Sequence, residues 1–222
     1  MTFAAAYEDA PRAWGVGRLL LDGEVKPWPV SQHDIDDEAE SQAPRLASLG
    51  VGPGDLVLIV AMLSEAIHAV PLEKAAGKLG ALYSSADATP PDAFRVAYLI
   101  RQLEPAAVVG VNGAVVEGLR DLGRDPAEIL AAVAGHVATA DDVACDELTR
   151  LGLAPRRWVK LGPTSAWEEE PGTLGYDQTR WDASDVDGEI VLTNTADRLT
   201  PCDRLATGVR GQVPRPGRIA LG

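Results

Sequence analysis

The sequence is poor in cysteine and histidine. Its two cysteines, Cys145 and Cys202, lie far apart and form no Cys-x-x-Cys pair. That spacing argues against a disulfide framework or a structural zinc site. The three histidines, His33, His68 and His136, share no ligand spacing, which argues against a His-rich metal centre. Aromatic residues are only 5% of the chain, and Trp outnumbers Phe five to two. Apolar runs are short. The longest, Leu56 to Leu63, is well below the ~20 residues a membrane span needs. The N-terminal stretch MTFAAAYEDAPRAW lacks the basic start of a signal peptide. Basic residues are also scarce: 20 Lys and Arg face 33 Asp and Glu, for a net charge of −13. Such a charge repels phosphate, so neither a nucleic-acid partner nor an anionic membrane is expected. The expectation is a soluble, reduced, cytoplasmic protein with no metal or cofactor.

What is present is ordinary globular material, 46% hydrophobic and 24% charged over 222 residues. A chain this long buries enough surface to need no covalent staple. Leu19 to Pro29 alternates around Asp22-Gly23 and predicts a hairpin. Ser31 to Leu49 has helical spacing (Ile35, Ala39, Leu46, Leu49), with Ser31 and Asp34 placed as a near-capping box and Pro44 an awkward interior residue. The turn Val51-Gly-Pro-Gly-Asp55 leads into the apolar run LVLIVAM, which reads as a buried parallel strand. A helix over Ser64–Lys78, a strand from Gly80, a helix over Asp92–Leu103 behind Pro90-Pro91, and a strand over Ala106–Val111 follow. This order predicts a parallel α/β unit. Beyond Asn112 the pattern predicts helices over Val115–Leu122, Pro126–Ala134 and Ala140–Leu151, then strands over Arg157–Leu161 and Glu189–Thr193. Residues 163–187 read as mostly loop, and the Gly-, Pro- and Arg-rich tail from Thr207 as poorly ordered.

The block from DGEVKPWPV through LASLGVGPGDLVLIVAM and KLGALYSSADATPP to VVGVN resembles the start of the adenylate-forming superfamily, which holds acyl-CoA synthetases, adenylation domains and luciferases. The family's Gly-Val-x-x-Gly-Asp turn is matched at Gly50 to Asp55, its Lys-x-Gly-Ala-x-Tyr strand at Lys78 to Tyr83, and its Asp-Pro-x-x-Pro stretch loosely at Asp87 to Pro91. Leu161-Gly162-Pro163-Thr164-Ser165 is similar to the family's Tyr-Gly-x-Thr-Glu segment, DGEIVLTN to its Gly-Glu strand, and Arg204, Thr207, Gly208 and Val209 to its Arg-x-x-Thr-Gly-Asp turn, with phenylacetate-CoA ligases nearest in flavour. The resemblance implies an α/β fold with a mostly parallel sheet flanked by helices, a shortened version of the family's N-terminal domain. Residues 1–160 would form the α/β part. Residues 161–222 would add a small β-rich part that completes the same fold.

The departures from the family are as specific as the matches. No Gly-, Ser- and Thr-rich phosphate loop with a following Lys occurs. Ser165 stands where the family's magnesium-associated Glu is expected, and Val209 where a ribose-gripping Asp is expected. The family's C-terminal lid with its catalytic Lys has no counterpart in the sequence. The expectation is a shortened descendant that does not make acyl-adenylates by the family route.

In such sheets ligands bind beyond the carboxyl ends of the strands, where the resemblance puts the segment Gly162–Glu170. Glu168, Glu169 and Glu170 are candidate acids or bases, because a carboxyl held against Trp167 would have a raised pKa. The plain alternative is a solvated acidic loop. His68, four residues after Ser64, is a candidate catalytic partner on a shared helix face, against the reading of a structural His. Gly162, Thr164, Ser165, Trp167, Thr207 and Asp87 are candidate substrate-binding residues, although Asp87 is also an ordinary turn former. Cys202 near Arg204 suggests a thiol of lowered pKa. The remaining tryptophans read as packing residues. The function expected is an ATP-independent enzyme of specialised metabolism. It would act on a carboxylic acid, acyl or polyketide-like compound by orientation and proton transfer, in a condensation, cyclisation or dehydration. The alternative is a non-catalytic binding or partner protein descended from an acyl-CoA ligase. A homodimer suits either.

Overall fold

The structure is a computed structural model that describes residues 12–21 and 23–222. The N-terminal stretch read for a signal peptide falls largely outside the described residues, as does Asp22 of the predicted hairpin turn. The chain divides into two compact units. One takes residues 39–63 and 69–159. The other joins 1–38 and 64–68 to 160–222, so the N-terminal hairpin clusters with the C-terminal part.

The first of these units is the predicted α/β unit. Strands β3 (Leu56–Val60), β4 (Leu82–Ala86), β5 (Ala107–Val111), β6 (His136–Thr139) and the start of β7 (Arg156–Leu161) pair in parallel in the order β7-β6-β5-β3-β4. β3 and β5 are buried almost throughout, which is why they read as continuous apolar runs. The flanking helices are α2 (Ala66–Lys78), α3 (Ala93–Leu103), α4 (Gly113–Asp121), α5 (Pro126–Ala131) and α6 (Asp142–Arg150). The apolar faces of α3 to α6 meet the sheet in a core that includes Leu58, Val96, Ile100, Val108, Leu119, Ile129 and Leu148. Asn112, Asp125 and Asp141 cap α4, α5 and α6 by accepting backbone N–H bonds. The sequence reading left out β6: four residues, His-Val-Ala-Thr, are too few to show a period.

The second unit opens with the predicted hairpin, β1 (Gly15–Leu21) paired with β2 (Glu24–Val30). Helix α1 (Gln32–Ser48) follows, its first turns belonging to this unit. Its start is a reciprocal capping box: Asp34 N–H donates to Ser31 Oγ at 3.1 Å, and Ser31 N–H to Asp34 Oδ2 at 2.7 Å. Pro44 is accommodated inside the helix.

From Thr164 onward the sequence reading needs correction. Residues 163–187 are not mostly loop; they carry β8 (Thr164–Glu170), β9 (Thr173–Gly175) and β10 (Trp181–Val186). The tail from Thr207 is ordered, as β12 (Leu205–Arg215) and β13 (Arg218–Leu221). With β11 (Glu189–Asn194) these strands form an antiparallel sheet in the order β10-β11-β12-β13-β9-β8. The Gly and Pro residues that suggested loop are tight turns between strands. Pro171-Gly172 links β8 to β9 and Pro216-Gly217 links β12 to β13, with both glycines at positive φ. Asp187-Gly188 links β10 to β11 with both residues at positive φ, the pattern of a type I′ hairpin.

The protein is therefore α/β, with a mostly parallel helix-flanked sheet and a smaller β-rich part. Among the described residues no helix is long and apolar enough to cross a membrane.

Gly118 shows how closely the helices of the parallel unit approach. A Cβ there would lie 2.4 Å from the Pro90 carbonyl oxygen. Gly to Ala inside a helix ordinarily stabilises by up to ~1 kcal/mol, but a backbone clash reverses the sign. Gly118→Ala is expected to destabilise the protein by about 1–3 kcal/mol, read as a lowered denaturation midpoint; a raised midpoint would show that α4 sits farther from the 90–92 turn.

Candidate functional site

Asp34, Asp37 and Glu38 lie one helical turn apart on α1 and share a face. Acidic side chains seldom go inside, yet Asp34 and Glu38 are buried. Each is matched by a donor from the β-rich part of the same unit. Thr164 Oγ1 donates to Glu38 Oε2 at 2.7 Å, and Trp181 Nε1 to Glu38 Oε1 at 2.9 Å. Arg198 is also buried. It donates to Glu38 Oε1 at 2.8 Å and to the Asp34 carbonyl at 3.1 Å, and lies 3.7 Å from Asp37. Its guanidinium sits 4.9 Å from the Trp181 ring centroid, a cation–π contact. Arg180 bridges Asp37, at 3.2 Å, and Asp177, at 2.6 Å.

Burial pushes the Glu38 carboxyl above its ordinary value of 4.5, and Arg198, Thr164 and Trp181 oppose that rise. A buried carboxyl with a raised pKa and a specific charge partner marks a functional-site candidate. Glu38 also lines a pocket whose other walls are mostly apolar: Trp28, Val30, Ile35, Ile67, Pro163 and Trp181. The polar lining is Asp34, Glu38, Arg198 and Thr200. The pocket has room for about one water molecule, ≈ 20 Å³, and measures ≈ 310 Å³ when its open mouth is included. Among the described residues, Asp34 Oδ1 and Arg198 Nε are buried without a hydrogen-bond partner, so these lining residues retain one acceptor and one donor.

His68 belongs to the same unit. Its Nε2 meets the Gly162 carbonyl at 2.8 Å, so the ring donates there. Burial, and then the Lys160 charge, push its pKa down to about 4, which keeps the imidazole neutral at pH 7. Lys160 itself pairs with Glu65 at 2.7 Å.

The structure thus brings together three of the residues singled out from the sequence, His68, Gly162 and Thr164. It adds four that were missed: Glu38, Asp34, Trp181 and Arg198. Ser64 is not His68's partner on a helix face, because residues 63–65 form a 3-10 turn and Ser64 Oγ accepts from Arg18. Gly162–Glu170 is not a loop. Thr164, Ser165 and Trp167 are buried in β8. Glu168 accepts from the Gly172 N–H at 2.8 Å, Glu169 pairs with Arg218, and Glu170 is exposed at the strand end. Thr207 donates to the Ile190 carbonyl at 2.8 Å and is buried. Asp87 is exposed in the parallel unit, after β4. Burial raises the Cys202 pKa, opposite to the lowered thiol expected beside Arg204. Trp158 and Trp181 pack as expected, whereas Trp14 is exposed. Among the described residues no group of three or more His, Cys, Asp or Glu side chains is placed to hold a metal ion.

The chain has the fold of the acyl-CoA ligases, as the resemblance to the adenylate-forming superfamily implied. 2-Hydroxyisobutyryl-CoA ligase, solved in complex with R3-HIB-AMP, superposes with a TM-score of 0.72 at 16% identity over 96% of this chain and 51% of the ligase. ATP-bound MatB from Rhodopseudomonas palustris gives 0.60 at 10% identity, over 96% and 48%. Acetoacetyl-CoA synthetase from Streptomyces lividans gives 0.57 at 18% identity, over 93% and 39%. The chain spans about half the length of the ligase it matches first. No family model matches the sequence, and no curated protein sequence is similar to it.

The two buried groups set opposite pH slopes. His68 is harder to protonate folded than unfolded, so its contribution is fully present above pH 6.5 and is lost as pH falls towards about 4. Glu38 is easier to protonate folded, so its contribution is lost as pH rises above 4.5. His68→Gln is expected to flatten the acid-side loss, on the order of 2–3 kcal/mol, in urea melts between those limits. Glu38→Gln, which mimics the neutral acid, is expected to gain on wild type as pH rises from 4.5. Unchanged slopes in either variant would show that the group is not desolvated.

Proposed function

We propose that this protein acts on a small carboxylic acid or acyl compound without adenylating it, by orienting the molecule and moving one proton through Glu38. The observation that carries this reading is the buried Glu38 carboxyl of raised pKa on the wall of an apolar pocket. Pockets of this kind, apolar with a few convergent polar groups, are the usual form of small-molecule sites. The likeness in fold to enzymes whose names specify acyl-CoA chemistry supports the compound class.

The proton step suits the surroundings of Glu38. Neutral Glu38 gives its proton to an oxygen that gains negative charge or leaves as water, as in a cyclisation or dehydration. The carboxylate that remains is stabilised by the three donors it already has, Thr164, Trp181 and Arg198. In a dehydration the protonated hydroxyl leaves as water, the neighbouring carbon gives up its proton to the Glu38 carboxylate as the C=C bond forms, and Glu38 is neutral again. Thr164 tunes the Glu38 carboxyl, and His68 fixes the Gly162 carbonyl next to that segment. Glu168 and Glu169 have partners within their own unit and take no part in this step. The missing Gly-, Ser- and Thr-rich loop and the residues Ser165 and Val209 support chemistry without ATP.

The test is a metabolite comparison in the source organism with the gene intact, deleted, and restored as Glu38→Gln. Accumulation of one precursor on deletion, unrelieved by a folded Glu38→Gln protein, is the expected result. Full rescue by that variant would remove Glu38 from the mechanism, and an unchanged profile on deletion would remove the enzyme reading.

A further inference from the structure

A second feature stands apart from this site and does not depend on the proposed chemistry. Helix α3 turns Val96, Ala97 and Ile100 into the core of the parallel unit, as its periodicity requires. The opposite face should be polar. It instead presents Phe94, 63% exposed, and Tyr98, 54% exposed, whose rings stack with centroids 6.3 Å apart. The turn after α4 adds Leu122, 48% exposed. Together with Arg101, Gln102 and Arg124 these side chains line an open groove of ≈ 260 Å³, room for one or two large side chains.

Among the described residues the groove walls contain no carboxylate, although the chain carries a net charge of −13. Arg101 also holds Glu128, at 2.8 Å on α5. Exposed aromatics beside arginines are the composition of interface hot spots, where an apolar anchor is buried and charge selects the partner. We infer that the groove formed by Phe94, Tyr98 and Leu122 and flanked by Arg101 and Arg124 docks an acidic segment of a partner protein, which inserts a large apolar side chain between its carboxylates. Charge complementarity argues for that occupant. The charged side chains on its walls are Arg101, which holds Glu128, and Arg124, so an acidic segment with an apolar anchor matches both the aromatics and the local charge.

The test uses the full chain and a fluorophore-labelled helical peptide rich in Leu and Glu, with a matched peptide in which Lys replaces Glu. Fluorescence anisotropy should show saturable binding of the acidic peptide that weakens with added salt, and none of the basic one. Arg124→Glu and Tyr98→Ser, both at exposed positions, should each weaken binding about tenfold or more without lowering the melting temperature. Absence of saturable binding, equal binding of the basic peptide, or binding indifferent to both variants overturns the inference. Sedimentation showing self-association abolished by Tyr98→Ser would assign the groove to a second copy and overturn it equally.

Discussion

The β-rich unit depends on the contact between Glu38 and Arg198. A carboxylate and a guanidinium taken out of water cost several kcal/mol each unless they are paired and fully hydrogen-bonded. Here the requirement is met from several places in the sequence at once. Glu38 comes from α1, Thr164 from β8, Trp181 from β10 and Arg198 from the segment after β11. Removing any donor leaves a buried charge short of a partner, so the cluster fixes the register in which these elements pack. Leu199 and Thr200 extend the tie, donating to Asp34 Oδ2 at 3.3 Å and to the Pro29 carbonyl at 2.6 Å.

The cluster that fastens this unit is also the candidate site. Burial penalises the charged form of this carboxyl and raises its pKa, while three donors oppose that rise. An apolar wall keeps bulk water from screening those donors. The chain shares its fold with acyl-CoA ligases over about half their length. The hydroxyls of Thr164 and Thr207, both in segments resembling family motifs, are spent on internal hydrogen bonds. The parallel unit has a different emphasis: a continuous apolar core and, on α3, an aromatic face turned outward.

Much of the parallel unit was legible because its signals are local. LVLIV and AVVGV are apolar runs bounded by turns, and Pro90-Pro91 stands just ahead of α3. The β-rich part was misread for an equally local reason. Pro-Gly and Asp-Gly pairs mark both loops and hairpin turns, and only the strands on either side distinguish them. The alternation in WDASDV, buried and exposed by turns at its start, carried that information but is only six residues long. The resemblance to the adenylate-forming superfamily rested on a string of turn and strand motifs, and it survived because such motifs fix the order of elements.

The candidate site was legible only in part. His68, Gly162 and Thr164 stood out by motif and residue type. Glu38 and Arg198 did not, because an acid on a helix and an arginine in a loop ordinarily read as solvated surface. Sequence by itself determined the first hairpin, α1 with its Ser31 cap, and the apolar strands β3 and β5, since each depends on neighbours a few residues away. Tertiary structure alone decided which acids were buried, because the partner of Glu38 lies 160 residues along the chain. The energy that sets a buried charge's protonation comes from whatever folding places beside it.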